Sequence, residues 1–112
     1  MNRKERSRWS KTVLWLHKSF PARGRVSVRS VPLQKLCGYC RLSDDRFLIR
    51  IDAKAPYRVK LDTILHEWAH VITWFGSDTE EDHGGEWGLA YAKIYREFLI
   101  WDYGRKKKHA VH

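Results

Sequence analysis

At 112 residues the chain is sized for a single domain spanning 1–112, and its six Trp, five Tyr and four Phe offer large burial areas for a modest core. Its formal net charge of +9 fits a polyanionic partner and equally fits a merely soluble basic protein. No apolar stretch approaches the length of a transmembrane helix, and residues 13–16 are too few for the apolar region of a secretory signal, so the reading is a cytoplasmic protein without a membrane partner.

In chain order, residues 1–9 read as a basic N-terminal tail. Ser10 then serves as N-cap for a helix over 11–19, which Phe20-Pro21 and the turn at Gly24 bring to an end. Val26 and Val28 alternate with Arg25, Ser27 and Arg29, predicting a strand over 25–33. Residues 39–42 and 46–52 form a hairpin across Ser43-Asp44-Asp45, with Phe47, Ile49 and Ile51 on one face and Arg50 and Asp52 on the other. Cys37-Gly38-Tyr39-Cys40 runs into strand-like sequence instead of a helix N-terminus. It therefore reads as a turn and strand with two reduced, partly buried thiols and not as a redox motif. Two cysteines also cannot complete a four-thiolate zinc site alone.

Leu61, Leu65, Trp68, Ile72 and Phe75 fall at alternating steps of four and three, which predicts a helix ended by Gly76-Ser77-Asp78. An acidic loop follows, and Trp87, Tyr91, Ile94, Phe98 and Trp101 then mark a second helix reaching about Tyr103. Residues 104–112, with Arg105-Lys106-Lys107-Lys108, read as a flexible basic tail. The order is helix, three strands, helix, helix: an α+β domain.

The chemistry lies in His66-Glu67-Trp68-Ala69-His70. Histidines at i and i+4 stack on one helix face, where both imidazoles can reach one metal ion. Glu67 is placed as general base for water activated by that metal. This face excludes the apolar stripe, so both histidines are expected off the buried seam. His83, on the turn entering the next helix, is the preferred third ligand because a short helix hairpin returns it toward the first helix. Glu81, Asp82, Glu86 and Glu97 are competing oxygen donors, and Cys40 is a weaker, sulfur-donating candidate from upstream. The longer metzincin pattern fails, because its Gly would fall at Thr73 and its last His at Gly76.

The run 61–70 followed by His83-Gly84-Gly85-Glu86-Trp87 resembles the core of SprT-like zinc metallopeptidases. That resemblance implies a small zincin-like fold of minigluzincin type, Zn2+ held by His66, His70 and His83, Glu67 as catalytic base, and hydrolysis of protein or peptide substrates, DNA-associated proteins among them. The motifs occupy only residues 61–87. Many members carry proline where Gly85 stands, and many carry a four-cysteine ribbon for which this chain has no residues. In zincins an edge strand beside the metal accepts the peptide as an added strand, and residues 46–52 are the candidate for it. The other class of function is a nucleic-acid-binding module with a closed, structural zinc site and no catalysis.

Charge is uneven along the chain. Residues 1–25 carry eight Lys/Arg against one acid, residues 62–97 two against eight, and residues 98–112 four against one. DNA is therefore expected to meet the basic termini, through Arg3, Lys4, Arg6, Arg8 and the 105–108 run, while the metal half is acidic.

Overall fold

The first helix, α1 (Arg3–Ser19), starts eight residues earlier than Ser10 implied. Its N-cap is Asn2, which accepts the Glu5 N–H while the Glu5 carboxylate accepts the Asn2 N–H, both at 2.9 Å. This reciprocal pair satisfies two N–H groups that would otherwise be orphaned, so the basic segment before residue 10 is helix and not tail. The computed structural model describes the backbone of residues 1–74 and 84–110 and the side chains of all but the last three of these. Thr12 and Leu16 are the buried positions of α1. Phe20 closes the helix, its N–H bonding to the Leu16 carbonyl.

Three strands follow: β1 (Arg25–Val31), β2 (Gly38–Ser43) and β3 (Arg46–Asp52). The β2–β3 hairpin turns on Asp44-Asp45, with Asp44 at φ 57°, a left-handed conformation that Asp tolerates better than most residues. Phe47, Ile49 and Ile51 are buried as the alternation required. The order in the sheet is β1-β3-β2, with β1 parallel and β2 antiparallel to β3. Thus β3 is the central strand. Its backbone is paired on both sides, which rules it out as the edge strand expected from the sequence.

The next helix, α2 (Tyr57–Ile72), begins after Pro56 with no capping side chain and ends at Thr73. Asp52, at the end of β3, organises the approach to it by accepting the N–H groups of Leu33 and Lys54, both at 3.1 Å. Those two hydrogen bonds hold the Asp52 carboxyl below the ordinary carboxylate range. α2 packs on β2 and β3 on one side and on α1 and α3 (Gly85–Ala110) on the other. Of the predicted stripe, Leu61, Leu65 and Trp68 are buried, Ile72 is half-buried and Phe75 lies outside the described residues; the sandwiched position explains why burial extends to Ile64, Ala69 and Val71 as well.

Trp68 is fully buried, and its indole N–H donates to the Phe20 carbonyl at 2.8 Å. Removing 150–250 Å² of tryptophan from water is worth roughly 4–6 kcal/mol as an upper bound. On α3, Ile94 and Phe98 are buried. α1 is joined to α3 through Trp15, which stacks on Trp101 at 5.3 Å and meets Phe98 edge-on at 5.9 Å. α3 continues past Tyr103 to Ala110, so the described part of residues 104–112 is helical and not a flexible tail. No helix among the described residues is long and apolar enough to cross a membrane.

Candidate metal centre

The sequence places His66, Glu67 and His70 on adjoining turns of α2, and the fold covers them from two directions. Glu67 and His70 are only 4% and 5% exposed, and His66 is half-buried. The expectation that both histidines lie off the buried seam therefore fails for His70. The reason is α3, which packs over a helix face that the apolar stripe does not include.

One ligand atom from each of His66, Glu67 and His70 can be chosen so that all three lie within 4.8 Å of one another, and among the described residues this is the one group able to hold a metal ion. Two imidazole nitrogens about 2.0–2.1 Å from a tetrahedral ion sit roughly 3.4 Å apart, so small side-chain rotations close the set. The donors fit a metal in kind: two imidazoles on one helix face, with a carboxylate beside them in a partly dry setting. Glu86 and Glu97 are exposed on α3 and stand outside the group, and Cys40 is buried in the core. His83 and the competitors Glu81 and Asp82 lie outside the described residues.

Trp87, the first residue of the α3 stripe, packs at the margin of the core. Its ring also stacks on His70 at 5.3 Å and meets His66 edge-on at 4.8 Å, and its N–H reaches the His66 carbonyl at 3.4 Å. Tyr91, one turn on, lies edge-on to His66 at 5.6 Å. These rings clamp the imidazoles from the α3 side and restrict their rotation. The sequence signal was available, since Trp87 and Tyr91 are spaced i, i+4 directly after His83-Gly84. What it lacked was the pairing of that face with α2.

A cleft of about 220 Å³ opens beside the group, lined by Cys37, Gly38, Asp62, Thr63, His66, Glu67 and Tyr91. Its wall is the start of β2, one of the two edge strands of the sheet. Gly38 makes this approach feasible: a Cβ there would sit 2.5 Å from Thr63 Cγ2 and 2.8 Å from the Arg50 carbonyl oxygen. Cys40 is buried as the turn-and-strand reading expected, whereas Cys37 is exposed, and no disulfide joins the two. Burial raises the Tyr91 phenol above its ordinary value, with Asp62 and Tyr95 adding to the shift, so it stays protonated. Tyr95 is exposed and lies outside the cleft lining.

Compared with family models, curated proteins and solved structures, the chain matches none. Fold and site together define an α+β domain carrying a His-Glu-His group suited to a metal ion.

Proposed function

We propose that this protein is a zinc-dependent endopeptidase of zincin-like build. The reading rests on one observation: the donor atoms of His66, Glu67 and His70 converge within 4.8 Å at the edge of an open cleft. His66 and His70 would hold the zinc, with His83 the third ligand that the SprT-like motif implies. A bound zinc ion supplies Lewis acidity toward a carbonyl oxygen and acidifies water.

The protein's own groups do the rest. Glu67, nearly dry and adjacent to both imidazoles, accepts a proton from the attacking water and delivers it to the leaving amine. Trp87 and Tyr91 hold the imidazoles in place, which keeps the donors pre-organised. Tyr91, protonated through the neutral range, is the side chain suited to donate a hydrogen bond to the developing oxyanion. The free edge of β2, beside Cys37 and Gly38, accepts an extended peptide as an added strand, a role closed to the central β3. DNA-associated proteins are the substrate class that the resemblance implies.

The test is Glu67→Gln. The amide keeps the shape of the side chain but cannot take the proton, so turnover of an unfolded protein should fall by orders of magnitude while zinc is retained. Equal turnover by the variant would overturn the assignment. A zinc-loaded wild type that cleaves no unfolded protein would favour a binding module with a structural metal.

A further inference from the structure

The two basic segments furthest apart in the sequence meet at one buried carboxylate. Asp102, on α3, is 5% exposed, and Arg8 of α1 donates to both of its oxygens through Nε and Nη2. Lys106 Nζ lies 3.4 Å and Arg105 Nη2 3.8 Å from the same carboxylate. Arg105 also lies over the Trp101 ring at 4.9 Å, and Arg8 over Tyr57 at 5.8 Å. One anion thus gathers three cations and fixes the start of α1 beside the end of α3. Glu5 and Lys106 border the same cavity, together with Arg58 at the start of α2.

The charged side chains around this clamp are almost all cationic. Residues 3–11, 58 and 102–107 contain nine Lys/Arg against Glu5 and Asp102. From residue 2 to residue 11 every exposed side chain is polar or basic, namely Asn2, Arg3, Lys4, Arg6, Ser7, Ser10 and Lys11. Arg58, Lys106 and Lys107 are exposed as well. A single buried carboxylate cannot neutralise such a set, and the surplus points to solvent on helices, where less side-chain and backbone freedom is lost on binding than from a tail.

We propose that the ends of α1 and α3, joined through Asp102, form one phosphate-contacting surface for duplex nucleic acid. Arginine forks match phosphate oxygens in pairs, and cations from separate helices can contact phosphates on either side of a groove. A lipid surface would call for apolar side chains interleaved with the cations to enter the acyl boundary; none is exposed from residue 2 to residue 11, and the exposed Leu99, Ile100 and Tyr103 of α3 precede Lys106 and Lys107 instead of alternating with them. Contacts of this kind position the protein without reading sequence. The surface uses none of the metal-site residues, so it stands whether or not the centre hydrolyses peptides.

The experiment is a titration of the full chain on two unrelated DNA duplexes over a range of salt concentrations. Phosphatidylserine-containing vesicles are titrated in parallel. Two variants at exposed cations, Arg3→Gln/Lys4→Gln/Arg6→Gln and Lys106→Gln/Lys107→Gln, are compared with wild type after circular dichroism has shown unchanged melting. Each lost phosphate contact should flatten the log–log salt slope by about 0.9, hence by up to about 2.7 for the α1 variant and about 1.8 for the α3 variant. Both duplexes should be bound alike, and Glu67→Gln should bind as wild type does. The proposal is overturned by an absence of duplex binding at low salt, by a slope that only one helix's variant changes, or by binding to vesicles without duplex.

Discussion

Replacing Gly38 with alanine tests the contact that builds the cleft wall. The new Cβ would stand 2.5 Å from Thr63 Cγ2 and 2.8 Å from the Arg50 carbonyl oxygen, where carbon–carbon contacts favour about 3.5–4.0 Å. Neither neighbour yields readily. Thr63 is held by its hydroxyl donating to the Val59 carbonyl at 2.7 Å, and Arg50 belongs to the central strand, paired on both sides. Relief therefore requires β2 and α2 to separate by about 1 Å, an overpacking that costs about 2–3 kcal/mol. For a domain of this size that lowers the melting temperature by roughly 10 °C.

Because Thr63 lies one turn before His66 and Glu67, the same shift should reduce peptide turnover about 100-fold, the usual penalty of a 1 Å misplacement. Thr63→Ser removes Cγ2 but keeps the hydroxyl, so the double variant should recover about 1 kcal/mol relative to the sum of the singles. Urea denaturation of the four proteins measures this. A Gly38→Ala midpoint equal to wild type would refute the steric argument.

Trp87→Ala should leave the Trp68 core intact but free both imidazoles, weakening zinc affinity about 10–100-fold, as loss of a supporting group around metal ligands does; competition with a chromophoric chelator measures it, and unchanged affinity would show that the rings do not restrain the ligands. Asp52→Asn probes the acid range. The folded carboxyl titrates below its unfolded value of about 3.9, so its stabilisation is present above that value and is lost as pH falls through the lower, folded one. Wild-type stability should decline across this window more steeply than that of Asp52→Asn in denaturation at stepped pH, and parallel declines would remove Asp52 as the cause.

The strand register of β3 was legible because a period of two with Phe47, Ile49 and Ile51 admits one buried face. Its place in the sheet was not, since chain order does not reveal that β1 returns parallel alongside it. The starts of α1 and α2 were missed for opposite reasons. Asn2 and Glu5 form a capping box inside what reads as a charged run, whereas α2 follows Pro56 without any capping side chain. The metal-site histidines and Glu67 were visible as a short motif with a chemical requirement. Their burial was hidden, because it depends on Trp87 and Tyr91 arriving from a helix whose stripe looked like ordinary core. The basic termini looked like tails because nothing local marks Asp102 as the partner of Arg8, 94 residues away.

The central claim is that α2 carries a metal centre, and zinc content tests it most directly. Elemental analysis of purified protein, after dialysis against metal-free buffer, should give about one zinc per chain. His66→Ala and His70→Ala should each lose most of it, while Glu67→Gln keeps it. Full zinc occupancy in either histidine variant, or no zinc in wild type supplied with the metal, would contradict the account.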